Sequence, residues 1–249
     1  MAPSAHTLHL SPHCRNCSLS SLCLPLALSP GDIERFDNIV RRRASLAAGE
    51  TLQQQGDSFE YVYAVRSGSL KQTAVDAEGN AQISGFYLPG ELIGMDSIDS
   101  GVWAGMISAM ERAAVCEIPF ERLEELAAHL PALRRQLYRG MSREIAGDRR
   151  LMRLLTGRSA DERLAHFLLE LTLRLDRAGD NRDAVRLPMP RRDIATWLGL
   201  AIETVSRVLS RFQEQQLIAV RGRRLEILDR PALERAAGSV DCCGRGAPS

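Results

Sequence analysis

Thiolate sulfur is the softest ligand a protein chain offers, and three cysteines stand here within ten residues: Cys14, Cys17 and Cys23, in the pattern C-x2-C-x5-C. Cys116 follows ninety-three residues beyond the third. Four thiolates from one chain satisfy either a tetrahedral zinc ion or a cubane iron-sulfur cluster. Zinc modules usually bring two compact C-x2-4-C knuckles, whereas here a triplet is completed by one distant cysteine, and that layout leans toward a cluster. The competing reading is a disulfide, or ordinary buried thiols; three cysteines in so short a stretch argue against it. Cys242 and Cys243 are adjacent in a tail rich in Gly, Ser and Pro. They are expected to be free thiols on a disordered end.

A second set of residues has the chemistry to meet nucleic acid. Between Arg191 and Arg230 there are eight arginines against five acids, although the whole chain carries a net charge of only +1. Such a run is often plain solvated surface, so it needs a motif beside it. Asp193 to Phe212 supplies one, reading as helix, tight turn, helix: Ala195 where two helices cross, Gly199 at the turn, Val205 and Val208 burying the second helix. Beyond it, Ile218 to Leu228 alternates around Gly222 as a hairpin, a wing carrying Arg221, Arg223 and Arg224. In a winged helix-turn-helix the early residues of the second helix meet base edges. Glu203, Ser206 and Arg207 are the candidates, with glutamate accepting from the cytosine amino group and arginine donating to guanine. A surface ion pair between Glu203 and Arg207 at i, i+4 is the plainer alternative. Arg192, Arg211, Arg221, Arg223 and Arg224 would hold phosphates, adding affinity without sequence preference.

These groups need elements to position them. At 249 residues and 45% apolar, the chain can build two domains with their own cores. It holds no run of eighteen apolar residues, and its first ten residues lack the basic segment and apolar stretch of a secretory signal, so a cytoplasmic, membrane-free protein is expected. A reducing cytosol also favours metal ligands over disulfides. A helix is expected from Gly31 to Arg43. Glycines then recur every eleven residues, at Gly68, Gly79, Gly90 and Gly101, with short apolar segments between them, the mark of a β-barrel or jelly roll. Pro119 opens a short helix to His129, and Pro131 begins the longest helix, to about Thr156. On it, Met141, Ile145, Asp148, Met152 and Leu155 alternate by four and three, the pattern of a helix that pairs with a copy of itself. Two Asp148 carboxylates would then repel across a twofold axis, leaving the dimer marginal; the alternative is that this helix packs only on its own barrel. Ser159 to Glu162 forms a capping box for the next helix, whose Leu164, Phe167, Leu168, Leu171 and Leu175 face a core, with His166 expected at its surface.

Cysteine triplet, glycine-punctuated barrel with a late cysteine, long pairing helix and winged module, in that order, resemble the FNR branch of the CRP/FNR transcription regulators. The resemblance covers about His13 to Gly238; its most specific pieces are the ligand spacing, Cys116-Glu-Ile-Pro-Phe120 and Glu203-Thr-Val-Ser-Arg207. It implies an α+β architecture: a cluster-binding arm over 1–29, a β-roll sensory domain of the cyclic-nucleotide-binding kind over 30–130, a dimerisation helix over 131–157, a winged helix-turn-helix domain over 158–238 and a disordered tail over 239–249. It implies that Cys14, Cys17, Cys23 and Cys116 hold an oxygen-labile [4Fe-4S] cluster on which the homodimer depends. It further implies that Glu203, Ser206 and Arg207 read a palindrome in double-stranded DNA with a half-site similar to TTGAT. Asp148 is the matching acidic position on the dimer helix, and barrel surfaces such as the turn near Gly79 would contact RNA polymerase. The spacer Arg15-Asn16 departs from the family pattern.

Other functions fit less well. Pro89-Gly90-Glu91-Leu92 resembles the start of a cyclic-nucleotide phosphate cassette, but from Met95 to Met110 there is no arginine or lysine to meet the phosphate. A metalloenzyme barrel needs inward histidines or grouped carboxylates, and there is no histidine between His13 and His129. No enzyme is therefore expected. A structural zinc on the same four cysteines, with constitutive DNA binding, is the remaining alternative.

Overall fold

The computed structural model describes residues 14–19, 22–26, 28–42, 45–177 and 184–238. The loop 179–183 and the tail with Cys242 and Cys243 lie outside the described residues. The chain runs through a short 3-10 turn at Cys14–Asn16, helix α1 (Pro30–Asp37), then strands β1 (Arg41–Arg42), β2 (Thr51–Gln53), β3 (Tyr61–Ser67), β4 (Leu70–Val75), β5 (Ala81–Tyr87), β6 (Leu92–Ile93), β7 (Met106–Ala109) and β8 (Ala114–Pro119). Helices α2 (Phe120–His129), α3 (Pro131–Gly157) and α4 (Ala160–Arg177) follow. Strand β9 (Ala184–Arg186), helices α5 (Arg191–Leu198) and α6 (Ile202–Glu214), strands β10 (Ile218–Arg221) and β11 (Arg224–Ile227), and helix α7 (Arg230–Ala236) complete it.

The expected roll is two facing four-stranded antiparallel sheets, ordered β1-β8-β3-β6 and β2-β7-β4-β5. Side chains alternate across a strand, and β3 shows what that does here. Tyr63 and Val65 point between the sheets onto Trp103, Ile107 and Val115, whereas Val62 and Ala64 point outward onto α1, α2 and the start of α3. The recurring glycines sit at the reversals: Gly68, Gly79, Gly90 and Gly101 all have positive φ. Gly68 is the most constrained, because a Cβ there would overlap the Arg112 carbonyl and Ala113.

Two expectations at the edges need correction. The first helix ends at Asp37 rather than Arg43, because Arg41 and Arg42 leave it to pair with Glu117 and Cys116 as β1. His166 is buried in the α4 core instead of lying at the surface, and its Nδ1 stands 3.8 Å from Glu170, too far for a hydrogen bond. Burial lowers its pKa, which favours the neutral ring. The α4 capping box forms as the spacing predicts: Ser159 N donates to Glu162 Oε2 at 2.8 Å and Glu162 N donates back to Ser159 Oγ at 3.3 Å.

The C-terminal module holds α5 and α6 around a turn at Gly199, in the left-handed region at φ 60°. Its wing has one more strand than the sequence suggests, since β9 pairs with β11 to give the order β10-β11-β9.

Candidate metal centre and nucleic-acid interface

The described residues before α1 fold back on the roll in a few tight turns. Cys17 N donates to Cys14 O at 3.2 Å, Cys23 N to Leu19 O at 2.9 Å, and Cys14 N to the Asp37 carboxylate of α1 at 2.9 Å. Asp37 in turn is ion-paired with Arg42 of β1, so arm, helix and strand are tied at one point. Cys116 sits on β8 opposite Ala64 and Arg42. By strand alternation it shares the outer face with Ile118, toward the arm.

Cys14, Cys17, Cys23 and Cys116 therefore line one cavity, together with Leu19, Phe36, Val40 and Ile118. All four are free thiols, so the disulfide reading is not the one the fold adopts. Burial, then the Asp37 carboxylate, raises the Cys14 pKa; burial pushes Cys23 up to about 12 and also raises Cys116. Without a metal these three are neutral thiols, and any metal binding them must displace their protons. Among the described residues no three His, Cys, Asp or Glu side chains converge on a single-ion site. The donor set, four sulfurs around an apolar pocket, is one that a soft metal ion or an iron-sulfur cluster takes.

The long helix divides into faces. Leu133 and Gln136 are buried on the roll, and Leu154 is buried against the DNA-binding module. The predicted pairing face is left uncovered: Ile145 is 51% and Met152 61% exposed. Tyr138, at 62%, lies three residues before Met141 and extends that face by one position that the sequence reading missed. Met141 and Leu155 are half-buried and Asp148 is exposed. One aromatic and two large apolar side chains thus stand in line, bare to solvent.

On α6, Glu203 and Arg207 are exposed and Ser206 half-buried, while Val205, Val208, Leu209 and Phe212 hold the opposite face in the core. Arg207 donates to Thr204 Oγ1 at 3.2 Å; no ion pair joins it to Glu203 among the described residues. All five predicted phosphate contacts, Arg192, Arg211, Arg221, Arg223 and Arg224, are exposed; Arg211 pairs with Asp161 of α4 at 3.1 Å and Arg192 with Asp193 at 3.6 Å.

Known proteins match this chain along most of its length. A Crp-like helix-turn-helix domain matches residues 162–236 and a cyclic nucleotide-binding domain matches residues 43–129. The transcriptional activator protein FnrA of Stutzerimonas stutzeri is 50% identical over 228 residues, covering 92% of this chain and 93% of its own. The chain belongs to the FNR branch of the CRP/FNR transcription regulators. The fumarate and nitrate reduction regulatory protein of Escherichia coli K12, another member, is 42% identical over 226 residues, or 91% of this chain and 90% of its own. Among solved structures, FixK2 from Bradyrhizobium japonicum superposes with a TM-score of 0.73 at 30% identity, covering 81% of this chain and 99% of its own. The FNR-type chain is thus a transcription regulator built on the roll and helix-turn-helix read from its sequence. Among its described residues no helix is long and apolar enough to cross a membrane.

Proposed function

We propose that this FNR-type regulator responds to oxygen: it holds a [4Fe-4S] cluster on Cys14, Cys17, Cys23 and Cys116, dimerises through α3 when oxygen is absent, and binds palindromic double-stranded DNA with TTGAT-like half-sites. The observation that carries the reading is the single cavity lined by all four cysteines, three from the arm and one from the roll. A relative named for fumarate and nitrate reduction, processes that spare oxygen as acceptor, supports the oxygen-linked half. When bound, such a cluster supplies an oxygen-labile link between the arm and β8. The protein supplies the rest. Asp37 and Arg42 hold the arm's start beside β8; α2 and α3 follow β8 directly, so packing at Cys116 is felt at the pairing face. Tyr138, Met141, Ile145, Met152 and Leu155 attract a second copy, and Asp148 opposes it. Glu203, Ser206 and Arg207 read base edges, and Arg192, Arg221, Arg223 and Arg224 hold the backbone. The exposed turn at Gly79 is the candidate contact with RNA polymerase.

A structural zinc on the same thiols is the reading to beat. One zinc needs its sulfurs at about 2.3 Å from a common centre, whereas cluster sulfurs each bind their own iron and stand farther apart. Anaerobically purified protein is expected to be brown, to bleach in air and to change from dimer to monomer as it does. A colourless zinc protein, or a dimer unchanged after bleaching, refutes the proposal. Serine at Cys23 or Cys116 is expected to remove both the colour and the anaerobic promoter response.

A further inference from the structure

The helix-turn-helix module is attached to the rest of the chain at two places. The first is the end of α3. The Arg163 guanidinium donates to the carbonyls of Leu155 at 2.8 Å, Arg158 at 3.0 Å and Leu198 at 3.1 Å, binding the last turn of α3, the start of α4 and the α5–α6 turn to one side chain. Alone, this joint would leave the module free to swivel about the short link from Gly157 to Ser159. The second attachment is to the roll. Lys71 of β4 donates to Asp193 of α5 at 2.7 Å, and Asp193 is only 4% exposed. Arg174 of α4 donates twice to Glu91, at 2.8 and 2.6 Å, and once to the Phe86 carbonyl. The Phe86 and Trp197 rings meet at 5.2 Å, and Ile83, Phe86 and Leu88 of the roll are continuous with the core of the module.

We infer that Lys71 and Arg174 are positioning residues for DNA reading: they fix the direction of α6 relative to α3 and so set the half-site separation that a dimer accepts. The inference rests on the dimeric DNA-binding reading above. In a symmetric dimer α3 defines the axis, and a rigid angle between α3 and α6 permits one separation only. Inserting one base pair turns the second half-site by about 35° and moves it about 3.4 Å. A module held at two points cannot follow that change; a module held at one can. Neither residue touches DNA in this scheme.

Removing one partner strands a buried charge and invites unfolding, so the test uses paired variants: Lys71→Met with Asp193→Leu, and Arg174→Met with Glu91→Leu. Anaerobically reconstituted protein is titrated with a duplex bearing one half-site and with two-half-site duplexes whose spacer is native or altered by one or two base pairs. The parent is expected to discriminate between spacers by about tenfold or more, of the order of one mismatched base pair. The paired variants are expected to discriminate by less than about threefold while keeping the parent's dimer mass, and the Arg174–Glu91 double variant, which leaves Arg192 and its partner Asp193 intact, is expected to keep the parent's single-half-site affinity. Lys71→Arg, which retains the pair, is expected to keep the parent's spacer preference. A paired variant with the parent's preference, or with an equal loss on every duplex at unchanged dimer mass, overturns the inference. A parent that binds none of the duplexes refutes the DNA-site reading itself, and the inference falls with it.

Discussion

Glu144 shows how a single carboxylate on α3 can carry a pH response of the fold. It is half-buried beside Asp96, Asp148 and Glu91, and burial first, then those three charges, push its pKa up to about 7. Asp148 is raised as well, by burial and then Asp96. The folded protein therefore binds a proton at Glu144 that the unfolded chain releases near pH 4.5, so stability falls as pH rises from about 4.5 to about 7 and is level above that. Glu144→Gln is expected to flatten this decline and to stabilise the protein at pH 8 by about 1–3 kcal/mol. Denaturant melts of both proteins between pH 5 and 8 measure it; parallel curves would show Glu144 ionised throughout. The sequence does not point to this residue, because a glutamate on a helix is ordinary and its three acidic neighbours come from the roll as well as from the helix itself. The cysteines were legible for the opposite reason. Three of the four are local in sequence, and their residue type alone points to a soft metal or a cluster.

At the scale of the element, α3 and the wing carry the testable claims. Asp148→Ala removes a carboxylate from a face whose neighbours Ile145 and Met152 are bare. The variant is expected to remain dimeric in air where the parent is monomeric, as sedimentation would report; a monomeric variant would put the repulsion elsewhere. On the wing, Arg221, Arg223 and Arg224 cluster at the exposed end of the hairpin where Arg221 faces Arg224. Changing all three to glutamine is expected to weaken binding to every duplex alike and to reduce the slope of log affinity against log salt by about one for each phosphate no longer neutralised. A change in base preference would instead assign the wing to reading. Helix periods, capping box and turn glycines were legible because each is decided within one or two turns of chain. β9 was missed because three residues, Ala184 to Arg186, are too short to show alternation. Its place is set by a partner, β11, some forty residues later.

For the whole molecule, dimerisation and DNA binding are two faces of one equilibrium. A palindromic duplex that binds only the dimer must favour the dimer by the factor by which dimerisation favours the duplex. Adding operator DNA to air-exposed protein is therefore expected to restore dimers at protein concentrations where they are otherwise absent. A one-half-site duplex is expected to do so far less, and equal effects would break the linkage. What sequence could not supply at this scale is the docking between domains. Lys71 and Asp193 are 122 residues apart and Arg174 and Glu91 are 83 apart, and pairs of that separation leave no periodic trace in one chain.

The pairing of Glu91 with Arg174 also bears on what this scaffold could become. A small soluble anion approaching the roll there meets a carboxylate whose compensating cation is lent by a neighbouring domain, with no second cation between Met95 and Met110 to greet it. Retraining the chain to obey a diffusible messenger would first cost the junction that steadies its reading head, before any berth for the newcomer existed. The route from one stimulus to another passes through a loosened intermediate.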